Sequence, residues 1–314
     1  MSQSSYKTCT GKTPFDFMKF KWAFIAVSVF FVLFSLYEIG INGINFGVDF
    51  VGGTKMIYQF PKDATAEEIR GITSKLDLGD VQVIQFGNNP AQNQFMVRAK
   101  YKDGQNVDQV LTRALTERYG SEDLKILSKE VVGPKVGADM QKKGSLAVLF
   151  TCLFILIYVG FRFDFLFSPG AVVALIHDVV ISVGFFSLFN KEFSLPILAA
   201  LLTIIGYSIN DTIVIYDRIR ENIGRLPKNA PALQVINISV TETLGRTIVT
   251  SLTVLLVVLA LYFLGGGVLH DFAFCLLIGI VFGTYSSIFI ASPFYLFLQR
   301  LFPGKGIKEA VPAS

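Results

Sequence analysis

Apolar runs and polar stretches alternate along the chain, and one polar stretch is long enough to form a domain. Trp22 to Ile39 is apolar, with Lys19 and Lys21 before it and Glu38 at its far end. Leu146 to Val159, Ala171 to Phe189, Leu195 to Tyr216, Ile248 to Leu264 and Phe272 to Leu298 follow. Each is long enough, or nearly so, to cross about 30 Å of hydrocarbon as a helix. Between the first and second runs the period changes. Thr54 to Phe60, Val81 to Phe86, Gln94 to Lys100 and Leu124 to Val132 read as strands. Thr65 to Leu76 and Asn106 to Tyr119 read as amphipathic helices. Thr65 with Glu68 three residues on is a capping box, Gly87-Asn88-Asn89-Pro90 a turn, and Gly120 a helix stop.

The pattern predicts a polytopic α-helical membrane protein with six transmembrane helices and one ferredoxin-like α+β domain of order βαββαβ. About 80 residues just sustain such a core. The predicted divisions are a polar segment at 1–21 that offers no core, a first span at 22–41, the domain at 42–143, a five-helix region at 144–299 and a tail at 300–314. Within the five-helix region, 218–243 is too polar to span and is expected as a loop. Its part Ala232 to Leu244 suits either a short amphipathic helix or solvated chain.

Composition agrees with several spans: 52% of residues are hydrophobic, mean hydropathy is +0.54, and only 17% are charged. The net charge of +4 says less than where the charge lies. Thirteen Lys and Arg fall in the N-terminus, the turn at Arg162, the Arg218 to Arg246 segment and the C-terminus, against Lys191 alone in the two short loops of the other face. By the positive-inside rule both termini are cytoplasmic and the polar domain is extracytoplasmic. The first run lacks a small-residue cleavage site and reads as an uncleaved span. Cys9, Cys152 and Cys275 are scattered, with no CxxC or Cys/His cluster, so neither a disulfide framework nor a zinc site is expected. There is no GxxxxGK[ST] loop and no nucleophile–base arrangement. No catalytic residue, metal or cofactor is expected, and any energy source is external or an ion gradient.

The candidate chemistry is charge inside the apolar runs. Asp211 lies six residues before Asp217, roughly 9 Å deeper at ~1.5 Å per residue. Asp178, next to His177, lies nine residues beyond Pro169, roughly 13 Å in. A charge at such depth costs a few kcal/mol unless it faces protein or water, and marks ion or proton pathways. Arg246, across one loop, comes out at the depth of Asp211, where the two would pair; snorkelling to the interface is its other solution. His177 also reads as a neutral imidazole bonded to a neighbouring helix. Asn210, beside Asp211, and Tyr207, a turn earlier, are in reach to support it. Gly279-x-x-x-Gly283, followed by Thr284, Ser286 and Ser287, reads as a close-packing face.

Six segments in register carry a resemblance. Gly47-Val48-Asp49-Phe50-Val51-Gly52-Gly53-Thr54, Val132-Gly133-Pro134-Lys135-Val136-Gly137-Ala138-Asp139 and Tyr158-Val159-Gly160-Phe161-Arg162-Phe163 come first. Ala174-Leu175-Ile176-His177-Asp178, Gly206-Tyr207-Ser208-Ile209-Asn210-Asp211 and Arg246-Thr247 follow. Together they resemble the SecD/SecF family of bacterial protein export, a branch of the RND superfamily. The resemblance implies a multi-pass inner-membrane subunit, not an enzyme. SecD would supply a matching six-span half, with the SecYEG channel and YajC as further partners. The proton or sodium motive force would drive the pulling of unfolded secretory polypeptide on the outer side. It also makes Gly47, Asp49, Gly52 and Gly53 signature residues and puts Asp211 and Arg246 on the ion path. Membrane lipid is an expected partner and nucleic acid is not. Two other readings remain: half of an RND-type efflux transporter for small amphiphiles, and a purely structural subunit.

Overall fold

A computed structural model describes residues 7–9, 13–61, 64–76, 78, 81–86, 92–100, 106–121, 123–163, 165–227 and 230–302. The predicted turn at Gly87 to Pro90 and most of the tail lie outside them. Six helices among the described residues are long and apolar enough to cross a membrane.

One turn of 3-10 helix at Phe17–Phe20, capped by Asp16, leads into α1 (Lys21–Asn42), which Gly43 ends at φ 71. A short helix, α2 (Val48–Val51), follows, and then the small domain: β1 (Gly53–Gln59), α3 (Ala66–Thr73), β2 (Val81–Phe86), β3 (Gln94–Ala99), α4 (Val107–Tyr119) and β4 (Lys125–Val132). The local signals place these elements within a residue or three. Thr65 accepts from the backbone N–H of Glu68 at 3.3 Å, and Gly120, at φ 86, stops α4. The four strands form one sheet, ordered β2-β3-β1-β4, with every neighbouring pair antiparallel. One face buries Met56, Tyr58 and Val97 against Ile69 of α3 and Leu111 and Leu115 of α4. Burial pushes the Tyr58 phenol up to about 12, so it stays neutral and works as a core ring hydrogen-bonded to Thr112.

The remaining spans are α5 (Pro134–Arg162), α6 (Ser168–Leu188), α7 (Leu195–Arg225), α8 (Ala232–Leu264) and a last one in three parts. That last span is α9 (Gly267–Ser286), a π-helical stretch at Ser287–Ala291, and α10 (Ser292–Leu301). Pro293 lacks an N–H, so the ladder breaks beside it and the local winding widens. Burial sorts the helices. About half of each apolar stretch is buried in α6, α7 and the last span (56%, 50% and 50%), against 17%, 17% and 11% in α1, α5 and α8. The first three therefore form the centre.

Three boundaries differ from the sequence reading. The helix of the second span begins at Pro134, not at 144, because Pro134 suits a first helical turn and the preceding Gly133 is extended. The expected loop at 218–243 is mostly helix: α7 runs to Arg225 and α8 starts at Ala232. Ile215, Ile219 and Asn222 continue the buried stripe of α7, and Val235, Ile236, Ser239 and Thr243 form one on α8. Tertiary burial, not lipid, stabilises these turns, which a hydropathy window does not register. Nor does the N-terminal segment lack a core. Met18 is buried beside Val235 and Ile236, and its N–H donates to Asn237 Oδ1 at 3.0 Å. Glu242, on α8, gathers Cys9 N at 2.6 Å, Arg218 Nε at 2.7 Å, Asn222 Nδ2 at 2.9 Å and Arg225 Nη2 at 3.1 Å.

The small domain is joined to the bundle at the signature segment. Gly52 and Gly53 take φ 76 and 148, and a Cβ on Gly52 would stand 2.8 Å from Pro134 Cα. Positive φ alone costs a non-glycine residue roughly 1–2 kcal/mol, before the clash with backbone. Gly52→Ala is therefore expected to lower the unfolding temperature and folded yield in detergent; wild-type values for both would show that the junction tolerates a side chain. A Cβ on Gly47 would meet Glu192 Oε1 at 2.6 Å. Asp49 Oδ2 accepts from Leu195 N at 2.9 Å, capping the first turn of α7 where Ser194 offers no side-chain bond. Arg98 reaches from β3 to the Phe46 carbonyl at 3.1 Å and Asn45 Oδ1 at 2.7 Å, and lies 3.6 Å from Glu192.

Candidate functional site

The buried polar groups of the bundle meet where α6, α7 and the last span cross. Asp178 is wholly buried. His177 Nδ1 lies 2.9 Å from its Oδ1, and its Oδ2 accepts from Ser208 Oγ of α7 at 2.6 Å and Ser286 Oγ of α9 at 2.9 Å. Three donors on one carboxylate offset much of the cost of putting it in an apolar bundle. His177 Nε2 is buried without a partner.

Close approach makes this possible. Gly279 and Gly283 face Ile204 and Ser208 of α7, one turn apart, and a Cβ on Gly283 would stand 3.0 Å from Ser208 Cβ and 3.5 Å from Asp178 Oδ2. The GxxxG stripe therefore does form a close-packing face, and the hydroxyls just beyond it serve the carboxylate. Ser287, in the π-helical stretch, lies 2.9 Å from Thr212 Oγ1, and Thr212 in turn donates to the Ser208 carbonyl at 3.2 Å. A π segment at a polar crossing is a common feature of functional sites.

Asp211 is 2% exposed, three residues past Ser208, so the two share a helix face. Its Oδ2 has no hydrogen-bond partner among the described residues. It does not form an ion pair with Arg246, which is exposed on α8. Both residues lie fourteen positions from the α7–α8 connection, Asp211 before Arg225 and Arg246 after Ala232, so their depths match. Neither supporting residue bonds to Asp211. Tyr207 donates to Ser251 of α8 at 2.9 Å, which lies 2.8 Å from Thr284 of α9, and Asn210 is exposed. The site thus has two halves. Asp178 is saturated by hydroxyls, and Asp211 is open, with Arg246 outside the described contacts. Gly47, Asp49, Gly52 and Gly53 stand apart from both, at the far end of α7 and α5.

The serines and threonine that bind and flank Asp178 were not singled out as ligands by sequence reasoning. The usable signal was four successive hydroxyl residues after Gly283, Thr284 to Ser287, inside an apolar run.

Two family models match. Residues 111–301 match "Protein export membrane protein SecD/SecF, C-terminal", and residues 39–63 match the SecD/SecF GG motif. Among curated relatives, the protein translocase subunit SecF of Desulfurispirillum indicum is 44% identical over 284 residues, 88% of this chain and 89% of that one. That of Magnetococcus marinus is 44% identical over 307 residues, covering 96% of each chain. That of Escherichia coli O157:H7 is 39% identical over 294 residues, 90% of this chain and 87% of that one. The crystal structure of SecDF from Thermus, described as a translocon-associated membrane protein, superposes with a TM-score of 0.82 at 36% identity. It is covered to 39% by 92% of this chain; a super-membrane-facing form of SecDF gives 0.67 over the same shares. The chain thus spans well under half of those two. With two carboxylates at the crossing of its central spans and relatives matched over nearly its whole length, this multi-pass membrane protein belongs to the SecD/SecF family, on the SecF side, as a subunit of protein export.

Proposed function

We propose that the chain couples ion movement through its central spans to polypeptide translocation, as one six-span half of an assembly whose other half is SecD. The observation that carries this is the pair of buried carboxylates, Asp178 and Asp211, with Ser208 bonded to the first and one turn from the second. A carboxylate at such depth is costly unless it serves a path, and Asp211 Oδ2, buried with no partner among the described residues, keeps its lone pairs free to take a proton or ion. Arg246, permanently charged, favours the ionised form whenever it approaches, and alternating approach and withdrawal would make Asp211 take up and release its ion. Asp178 holds the second position on the path and His177 orients it, while Tyr207 ties α7 to Ser251 of α8 beside Asp211. The coupling ion is H⁺ or Na⁺.

The small domain is read as ferredoxin-like, supported by its βαββαβ order and antiparallel β2-β3-β1-β4 sheet. It acts as a contact surface for unfolded secretory polypeptide emerging from the SecYEG channel, with YajC as an accessory partner. Asp49 and the two glycines pass its motion to the start of α7. Both termini are cytoplasmic and the domain extracytoplasmic in the inner membrane. Reporter fusions at Asn88 and Asn229, residues outside those described, are expected to score outside and inside respectively; the reverse would overturn the orientation.

The proposed function is tested in inverted vesicles containing the chain with SecD and the export channel, in which polypeptide uptake is followed with and without an imposed proton or sodium gradient. Gradient-stimulated uptake that vanishes when this chain alone is omitted supports coupling. Stimulation that persists without it assigns the coupling elsewhere.

A further inference from the structure

A groove of about 560 Å³ lies beside the central site, between α1, α6 and α10, and touches it only at His177. On α1 its lining runs from Lys21 to Leu33, twelve positions further on, or roughly 18 Å of helix at ~1.5 Å per residue. Half of a ~30 Å hydrocarbon core is ~15 Å, so the groove has the length of one leaflet. Its walls are aliphatic and aromatic, among them Val32, Ile176 and Phe297. Ser28, on the wall, is satisfied by Tyr285 at 2.8 Å.

The mouth differs from the walls. It lies at the end of the bundle where α1 begins and α10 ends, and it carries Lys21 and Arg300. Neither cation is in an ion pair among the described residues. Trp22, 73% exposed, sits beside them with Lys21 over its ring, as an interfacial anchor does. An apolar slot one leaflet deep, headed by two unpaired cations at the headgroup level, is complementary to one kind of molecule.

We propose that this groove binds an acidic phospholipid, with an acyl chain between α1, α6 and α10 and the phosphate held by Lys21 and Arg300. Charge selects the headgroup, and length selects a lipid over a short amphiphile. The inner wall includes His177, whose Nε2 has no partner, so a bound chain keeps water from that nitrogen.

Trp22 is the only tryptophan of the chain and stands at the mouth, which makes its fluorescence a local probe. The full chain is reconstituted in phosphatidylcholine vesicles containing a small fraction of chain-brominated phosphatidylglycerol or, separately, chain-brominated phosphatidylcholine. Two cations favour the anionic lipid by on the order of tenfold. Brominated phosphatidylglycerol is therefore expected to reach half-maximal quenching at roughly one tenth of the mole fraction needed for the neutral lipid. The K21Q/R300Q variant is expected to lose that preference. V32F/I176F, which fills the groove and keeps the cations, is expected to lower the maximal quenching. Equal quenching by the two lipids would overturn the proposal. So would a preference that survives K21Q/R300Q, or quenching by phosphatidylglycerol that V32F/I176F leaves unchanged, since the lipid would then sit on the surface and not in the groove.

Discussion

Asp211→Asn is expected to accumulate as well as the unaltered chain, or better, and to abolish gradient-stimulated export. Asp211 Oδ2 has no hydrogen-bond partner among the described residues, so the substitution strands no donor there. It removes instead a charge whose burial costs up to about 3.5 kcal/mol on insertion scales, and the amide is nearly the same shape. Stability and function are then expected to move in opposite directions, a sign pattern that a purely structural residue would not give. The measurement is uptake of a secretory polypeptide into vesicles with and without the gradient, beside the amount of folded protein per vesicle. A full gradient response in Asp211→Asn would remove Asp211 from the path. Arg246→Met is expected to reduce the same increment, because the proposed approach of a permanent positive charge to Asp211 would be lost.

Replacing Asp178 separates folding from transport in another way. Asp178→Ala takes the acceptor from His177, Ser208 and Ser286 together. Side-chain hydrogen bonds between membrane helices average about 0.6 kcal/mol and reach about 1.7, and two of these three cross between helices, so their loss is roughly 1 kcal/mol and at most about 3.5. That is a large share of a stability of ~5–15 kcal/mol, before the cavity is added. Asp178→Ala is expected to fall in both folded yield and unfolding temperature. Asp178→Asn fills the space and still offers an oxygen to the two hydroxyls, which can rotate to meet its amide. It is expected to fold within about 1 kcal/mol of the unaltered chain and yet to lose most of the gradient response. Full activity in Asp178→Asn would make this carboxylate a structural crossing point and leave Asp211 as the only coupling group.

Much of the framework was legible in the sequence because it follows from local rules. The six apolar runs became six helices, since no other backbone arrangement satisfies its own polar groups in hydrocarbon within one segment. The elements of the small domain fell where period and punctuation put them. The β2 strand runs Val81–Phe86 as read, and Thr65 caps α3 through the Glu68 N–H. The positions of Asp211 and Arg246 along their helices also follow from counting, each fourteen residues from the α7–α8 connection.

Side-chain partners were a different matter. Counting put Arg246 level with Asp211 but said nothing of azimuth, and α8 turns Arg246 outward. Tyr207 sits one turn from Asp211 and bonds to Ser251 on another helix instead. Ser208 and Ser286, 78 residues apart, meet on Asp178 only because Gly283 lets α9 close on α7. Met18 is buried by residues more than 200 positions away, and Asp49 reaches across 146 positions to cap α7. What the sequence alone determined was therefore what depends on neighbours along the chain: which segments are helix or strand, which of them are apolar enough for lipid, and how far along its helix each charge lies. What only the tertiary structure decided was which face of each helix meets which other face. Helical period fixes the angle between residues of one helix but not the rotation of that helix against its neighbours. In lipid that rotation is set by the packing of small residues such as Gly279 and Gly283, and by the hydrogen bonds that close packing brings within reach.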